Sequence, residues 1–150
     1  MQLPKYNVGG SAPKVEDGLT LLRFDDLQLK DHPDWAGTDK FAHADDGKRF
    51  HFMFTKLDED RAVEYDNNND PIEIDILTRT ATGEKSNFFG VMSHILTPAE
   101  LVIFQSGEDT DWSYLTGRVV HGNITHNEKG WPQIEAIVGI AKEKKTAVAK

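Results

Sequence analysis

Hydrophobic periodicity along this chain changes character twice, and the order of those changes limits the folds open to it. Three segments, at about 19–30, 49–57 and 72–80, alternate apolar and polar residues as strands do. Residues 84–96 then switch to helical spacing, with Phe88, Val91, Met92, Ile95 and Leu96 on one stripe. Two further strand-like segments, 117–127 and 131–140, flank the turn Asn127-Glu128-Lys129-Gly130 and read as a hairpin. A second short helix is expected at Thr97-Pro98-Ala99-Glu100. There Thr97 caps, Pro98 suits the first helical position, Glu100 completes a capping box and Gly107 ends the element.

Strand-strand-strand-helix-strand-strand is the order of an OB-fold, a small Greek-key barrel that commonly holds single-stranded nucleic acid or sugar. The expected fold is therefore mainly β: a five-stranded OB-like barrel with one or two short helices between strands 3 and 4, placed to plug its open end. The chain divides into a flexible N-terminal arm at 1–17, a folded domain at 18–141 and a basic tail at 142–150. With 150 residues there is enough chain for one domain with a real core.

Within the strands, several positions have a definite expected place. The alternation of the first strand slips between Leu22/Phe24 and Leu27/Leu29, which a bulge near Asp25–Asp26 explains. Phe50, Phe52 and Phe54 share one face of the second strand and are read as core, a stacking surface being the competing reading. Arg49, His51, Met53 and Thr55 on the opposite face would then form a groove floor. Ile134, Ala136 and Val138 are expected to share a face of the last strand. Asp66, Asn68 and Asp70 imitate half of a calcium loop, but Pro71 and Leu77 stand where glycine and the bidentate glutamate belong, so an Asn/Asp turn is expected.

The net charge is -8, which opposes general nucleic-acid binding, yet its distribution is uneven. Residues 1–111 carry 11 basic and 22 acidic side chains, whereas residues 112–150 carry 6 basic and 3 acidic. Candidate nucleic-acid contacts follow from rings placed beside cations. Trp35, Lys40 and Phe41 lie in the long polar loop between the first two strands, and Lys48, Arg49 and His51 open the second. Arg118 leads into the fourth, and Lys129 and Trp131 sit at the last hairpin. An aromatic ring offers a sequence-tolerant stacking platform, and a Lys or Arg neutralises phosphate.

No nucleophile elbow, phosphate-binding glycine loop or metal-ligand spacing is present, so no enzyme activity, cofactor or metal is expected. The chain has no cysteine, no signal-like leader and no long apolar run, which suits a cytoplasmic protein with no membrane partner.

The segments Glu16-Asp17-Gly18, Gly47-Lys48-Arg49-Phe50-His51-Phe52, Ser86-Asn87-Phe88-Phe89 and Leu115-Thr116-Gly117-Arg118-Val119-Val120 carry a resemblance. Over about residues 16–142 the layout resembles small OB-fold single-stranded DNA-binding proteins encoded by bacteriophages, especially those of actinobacterial hosts. The resemblance implies non-catalytic binding of single-stranded DNA in phage replication or recombination, in the host cytoplasm, beside replication or recombination proteins. It leaves the oligomeric state open. The tail departs from many such proteins in being basic rather than acidic. A virion component or an inhibitor of a host protein is the alternative, since barrels of this kind are reused as interaction modules.

Overall fold

The computed structural model describes residues 15–31 and 48–142. Its elements are β1 (Gly18–Asp31), β2 (Lys48–Leu57), β3 (Glu73–Thr78), α1 (Asn87–Ile95), α2 (Pro98–Ser106), a 3-10 turn (Ser113–Leu115), β4 (Val119–His126) and β5 (Pro132–Ile140). All pairings are antiparallel, and the strands lie in the order β3-β2-β1-β4-β5. β1 holds the sheet together. Its first six residues pair with β4, while Leu21–Asp31 pair with β2.

The slip expected in β1 is a bulge, with the register shifting between Phe24 and Asp26. One extra residue there lets Leu22, Phe24 and Leu27 all reach the same core. β2 adds Phe52 and Phe54, both fully buried, and α1 lays Phe88, Met92 and Ile95 onto them. The phenylalanine stripe is thus core: Phe24 meets Phe54 edge-on at 5.6 Å, and Phe88 sits 5.4 Å from Phe52.

Local chemistry sets the connections. Ser86 caps α1 by accepting the Phe89 N–H at 3.1 Å. The capping box of α2 is complete: Thr97 Oγ1 accepts the Glu100 N–H, and Glu100 Oε1 accepts the Thr97 N–H at 2.7 Å. Gly107 ends that helix in the left-handed region. The Asp66 carboxylate accepts the N–H groups of Asn68 and Asp70, which forms the expected Asn/Asp turn.

Three expectations need correction. β5 does not alternate simply, because its register against β4 slips twice, leaving Glu135 and Val138 unpaired. Ile134 and Ile137 therefore point towards the core, while Ala136 and Val138 are exposed. The N-terminal boundary also moves. Residues 1–14 lie outside the described residues, but Val15 is already buried against Ile72, Ile74 and Ile124. Finally, hydrogen bonds do not close the sheet. β3 and β5 are its two edges, and a cleft of about 420 Å³ separates them, lined by Ile76, Val91, His94, Ile134 and Ile137 among others.

Gly122 of β4 is a close-approach position that periodicity does not reveal. A Cβ built there would lie 2.4 Å from Cδ1 of Leu22, which is fully buried and has nowhere to retreat. Gly122→Ala should therefore destabilise the fold by about 1–3 kcal/mol, as overpacking does. A urea titration checks this, and an unchanged midpoint would show that the Leu22 site is looser than it looks.

Candidate nucleic-acid interface

Of the nine expected contact residues, Trp35, Lys40 and Phe41 lie outside the described residues. The other six fall into three different environments.

The first is the outer face of the sheet across β1, β2 and β3. Lys48 is exposed and pairs with Asp31 at 3.2 Å, opposite it in register. Arg49 and His51 are buried, as is Thr55, so this face is not the open groove floor that alternation implies. Arg23, Asp25 and Thr55 on this face hydrogen-bond to one another. Arg23 contacts Asp25 at 2.7 Å and Thr55 at 3.3 Å, and the Thr55 hydroxyl donates to Asp25 at 2.5 Å. Arg49 donates to the Lys48 carbonyl at 2.7 Å. His51 Nδ1 lies 3.9 Å from the Asp75 carboxylate. Burial pushes the Asp75 carboxyl above its usual range, against the opposing pull of His51 and Lys30.

The second environment holds Arg118. Its guanidinium grips Glu100 with both terminal nitrogens, at 2.5 and 3.1 Å, and also donates to the Ile95 carbonyl at 3.0 Å. The Tyr114 hydroxyl donates to the same carboxylate at 2.5 Å, and the Tyr114 ring lies 5.8 Å from the guanidinium. Burial opposes ionisation of Glu100. The hydrogen bonds from Arg118, the Thr97 N–H and Tyr114 outweigh it and hold the carboxyl at about 2. Arg118 thus fastens the junction of α1 and α2 to the start of β4, and its donors are turned inward. Sequence identifies Glu100 through its capping box, but nothing in the spacing shows that its carboxylate also meets a residue 18 positions later.

The third environment is the β4–β5 hairpin. Asn127 Oδ1 accepts the N–H groups of Lys129 and Trp131, and Gly130 supplies the positive φ that the turn needs. The tight turn holds Lys129 exposed beside Trp131, a residue that stays 37 % exposed. His126 pairs with Asp17 just below it. Here a ring and a cation stand together at the surface on a rigid support.

These environments are not adjacent along the sheet. The hairpin lies beyond the Gly18 end of β1, which pairs with β4, whereas Lys48 pairs with the last residue of β1. At about 3.3 Å per residue, the path along β1 between them is on the order of 40 Å.

No protein-family model matches the chain, and no match is found among curated proteins. Among the described residues, no helix is long and apolar enough to cross a membrane.

Proposed function

We propose that the protein binds single-stranded DNA without catalysing a reaction on it, as an accessory to phage DNA replication or recombination. The observation that carries this reading is the β4–β5 hairpin, where half-exposed Trp131 stands beside exposed Lys129 on a turn fixed by Asn127. The strand order supports it. β3-β2-β1-β4-β5, with helices between β3 and β4, is the order an OB barrel would have if opened between its third and fifth strands, and α1 lines the cleft between those two edges. OB-folds use the β1–β2 and β4–β5 loops for their ligands. In this reading the strand stacks on Trp131, meets Lys129 through phosphate and runs along β1 towards Lys48. Arg118, Arg49 and His51 serve the fold instead. A site of such length falls within the roughly 4–16 nucleotides typical of one OB unit.

The test is titration of tryptophan fluorescence with oligo-dT. Quenching that saturates at low salt and weakens as salt rises supports the proposal, with a logarithmic slope of about 0.7 for each phosphate neutralised. Fluorescence unmoved by excess oligo-dT at low salt rejects it.

A further inference from the structure

The molecule has another concavity, distinct from the β3–β5 cleft and from the hairpin. A cavity of about 310 Å³ opens between the β1 bulge, the two helices and the 3-10 turn. Its floor is Phe24, Phe88, Met92 and Leu115, all buried. Half-buried Phe104 and Trp112 form a wall, their rings 6.5 Å apart and nearly edge-on. This chemistry is that of a ligand pocket: concave, ring-lined and mostly apolar.

Among the described residues, the charge in the lining is negative. Exposed Asp26 stands at the mouth, and among the described residues no Lys or Arg lines the cavity. Glu108, Asp109 and Asp111 lie just before the lining residue Trp112 in sequence, outside the lining itself. The Asp111 carboxylate accepts the Ser113 N–H at 3.0 Å, which fixes it beside the 3-10 turn. Polyphosphate is repelled here, whereas a cation is drawn in. α2 tells the same story from another side. It is apolar at four consecutive positions, Leu101–Phe104, yet none of them is buried, and Val102 is 67 % exposed. A helix apolar all round is ordinarily covered.

We propose that this cavity docks a basic peptide segment of another protein. An aromatic anchor side chain fills the space over Phe88 and Met92, and flanking Lys or Arg residues meet Asp26 and the 108–111 carboxylates. The volume suits one ring, and an anchor in an aromatic pocket ringed by complementary charge is how small interfaces concentrate their affinity. The cavity is separate from the hairpin, so its occupancy is read apart from stacking on Trp131.

The experiment uses the full chain and the peptide acetyl-Arg-Lys-Phe-Lys-Arg-amide, followed through the indole N–H resonances of the tryptophans. A saturable shift of the Trp112 resonance, with Trp131 unmoved, is expected. Replacing the peptide's Phe by Ser should weaken binding about thirtyfold, the value of a hot-spot anchor. The double variant Asp26→Asn/Asp109→Lys should weaken it about tenfold while leaving the rest of the spectrum dispersed, since Asn keeps an acceptor for the Leu27 N–H now bound by Asp26. Thr116→Trp, filling the mouth from an exposed rim position, should abolish it. Equal binding of the Phe and Ser peptides overturns the proposal, as does a Trp112 shift driven by oligo-dT. So do a shift that follows protein concentration without peptide, which makes a second copy the occupant, and one that follows Trp35→Ala or Phe41→Ala, which makes the chain its own occupant.

Discussion

Phe52→Ala should lower the stability of the fold by about 3–5 kcal/mol, a large part of the roughly 5–15 kcal/mol that holds a domain of this kind together. Phe52 is fully buried at the middle of β2. Its ring faces Phe88 of α1 at 5.4 Å, and Phe88 in turn touches Phe50 at 4.7 Å and Phe104 at 6.1 Å. Truncation removes transfer energy and opens a cavity beneath α1 that sheet and helix can only partly close. The same substitution distinguishes two roles for the phenylalanine stripe. A core residue costs stability and leaves DNA affinity intact in the molecules that remain folded. A stacking residue would do the reverse. Urea unfolding measures the first quantity, and a loss below about 1 kcal/mol would be incompatible with this packing.

Arg118→Ala should cost about 2–3 kcal/mol, because it removes three hydrogen bonds and takes from the half-buried Glu100 carboxylate its ionic partner, leaving only the Thr97 N–H and the Tyr114 hydroxyl. Its pH dependence carries a definite sign. The Glu100 carboxyl lies at about 2 in the fold, against 4.5 ordinarily. A depressed carboxyl contributes stability that is complete above about 4.5 and is lost as pH falls from there through about 2. The gap in stability between the wild type and Arg118→Ala should therefore be widest near neutral pH and narrow steadily across that window. Asp75, held above its usual range by burial, titrates with the opposite sign. It is present in both proteins and so cancels in the difference. Urea midpoints of the two proteins at about pH 7 and about pH 3 make the comparison. A gap that stays constant would mean that Arg118 acts by packing alone. As a control on function, oligo-dT affinity should keep its salt dependence in this variant, since Arg118 does not face solvent.

The legible parts of this fold are those set by neighbouring residues. Strict alternation around Phe50, Phe52 and Phe54 places β2. The Thr97–Glu100 box and Gly107 delimit α2, and the Asn127–Gly130 turn places the last hairpin. The bulge in β1 shows as a slip in its hydrophobic phase, because apolar residues lie on both sides of it. The two slips in β5 leave no such trace. Ile134, Ala136 and Val138 alternate cleanly, and only pairing with β4 shows that the phase breaks at Glu135 and Val138. Polar residues mislead for a different reason. Alternation assigns Arg49, His51 and Thr55 to solvent, whereas partners from other strands, such as Asp25 and Asp75, let polar side chains be buried. Arg118 similarly looks like a free cation until Glu100 and Tyr114 are brought beside it by the chain's return. Trp131 and Lys129 are exposed at the hairpin, which spacing alone leaves undecided between a surface ring and one packed across the hairpin.

The most direct measurement is the affinity of fluorescently labelled oligo-dT for the wild type and for Trp131→Ala, read by anisotropy at low salt. Trp131 is half-exposed at a hairpin tip, so its removal should leave the fold intact. It should weaken DNA binding by about 1–3 kcal/mol, the loss of one stacked base. Wild-type binding that Trp131→Ala leaves unchanged would contradict the account, because the hairpin would then not be where the nucleic acid sits.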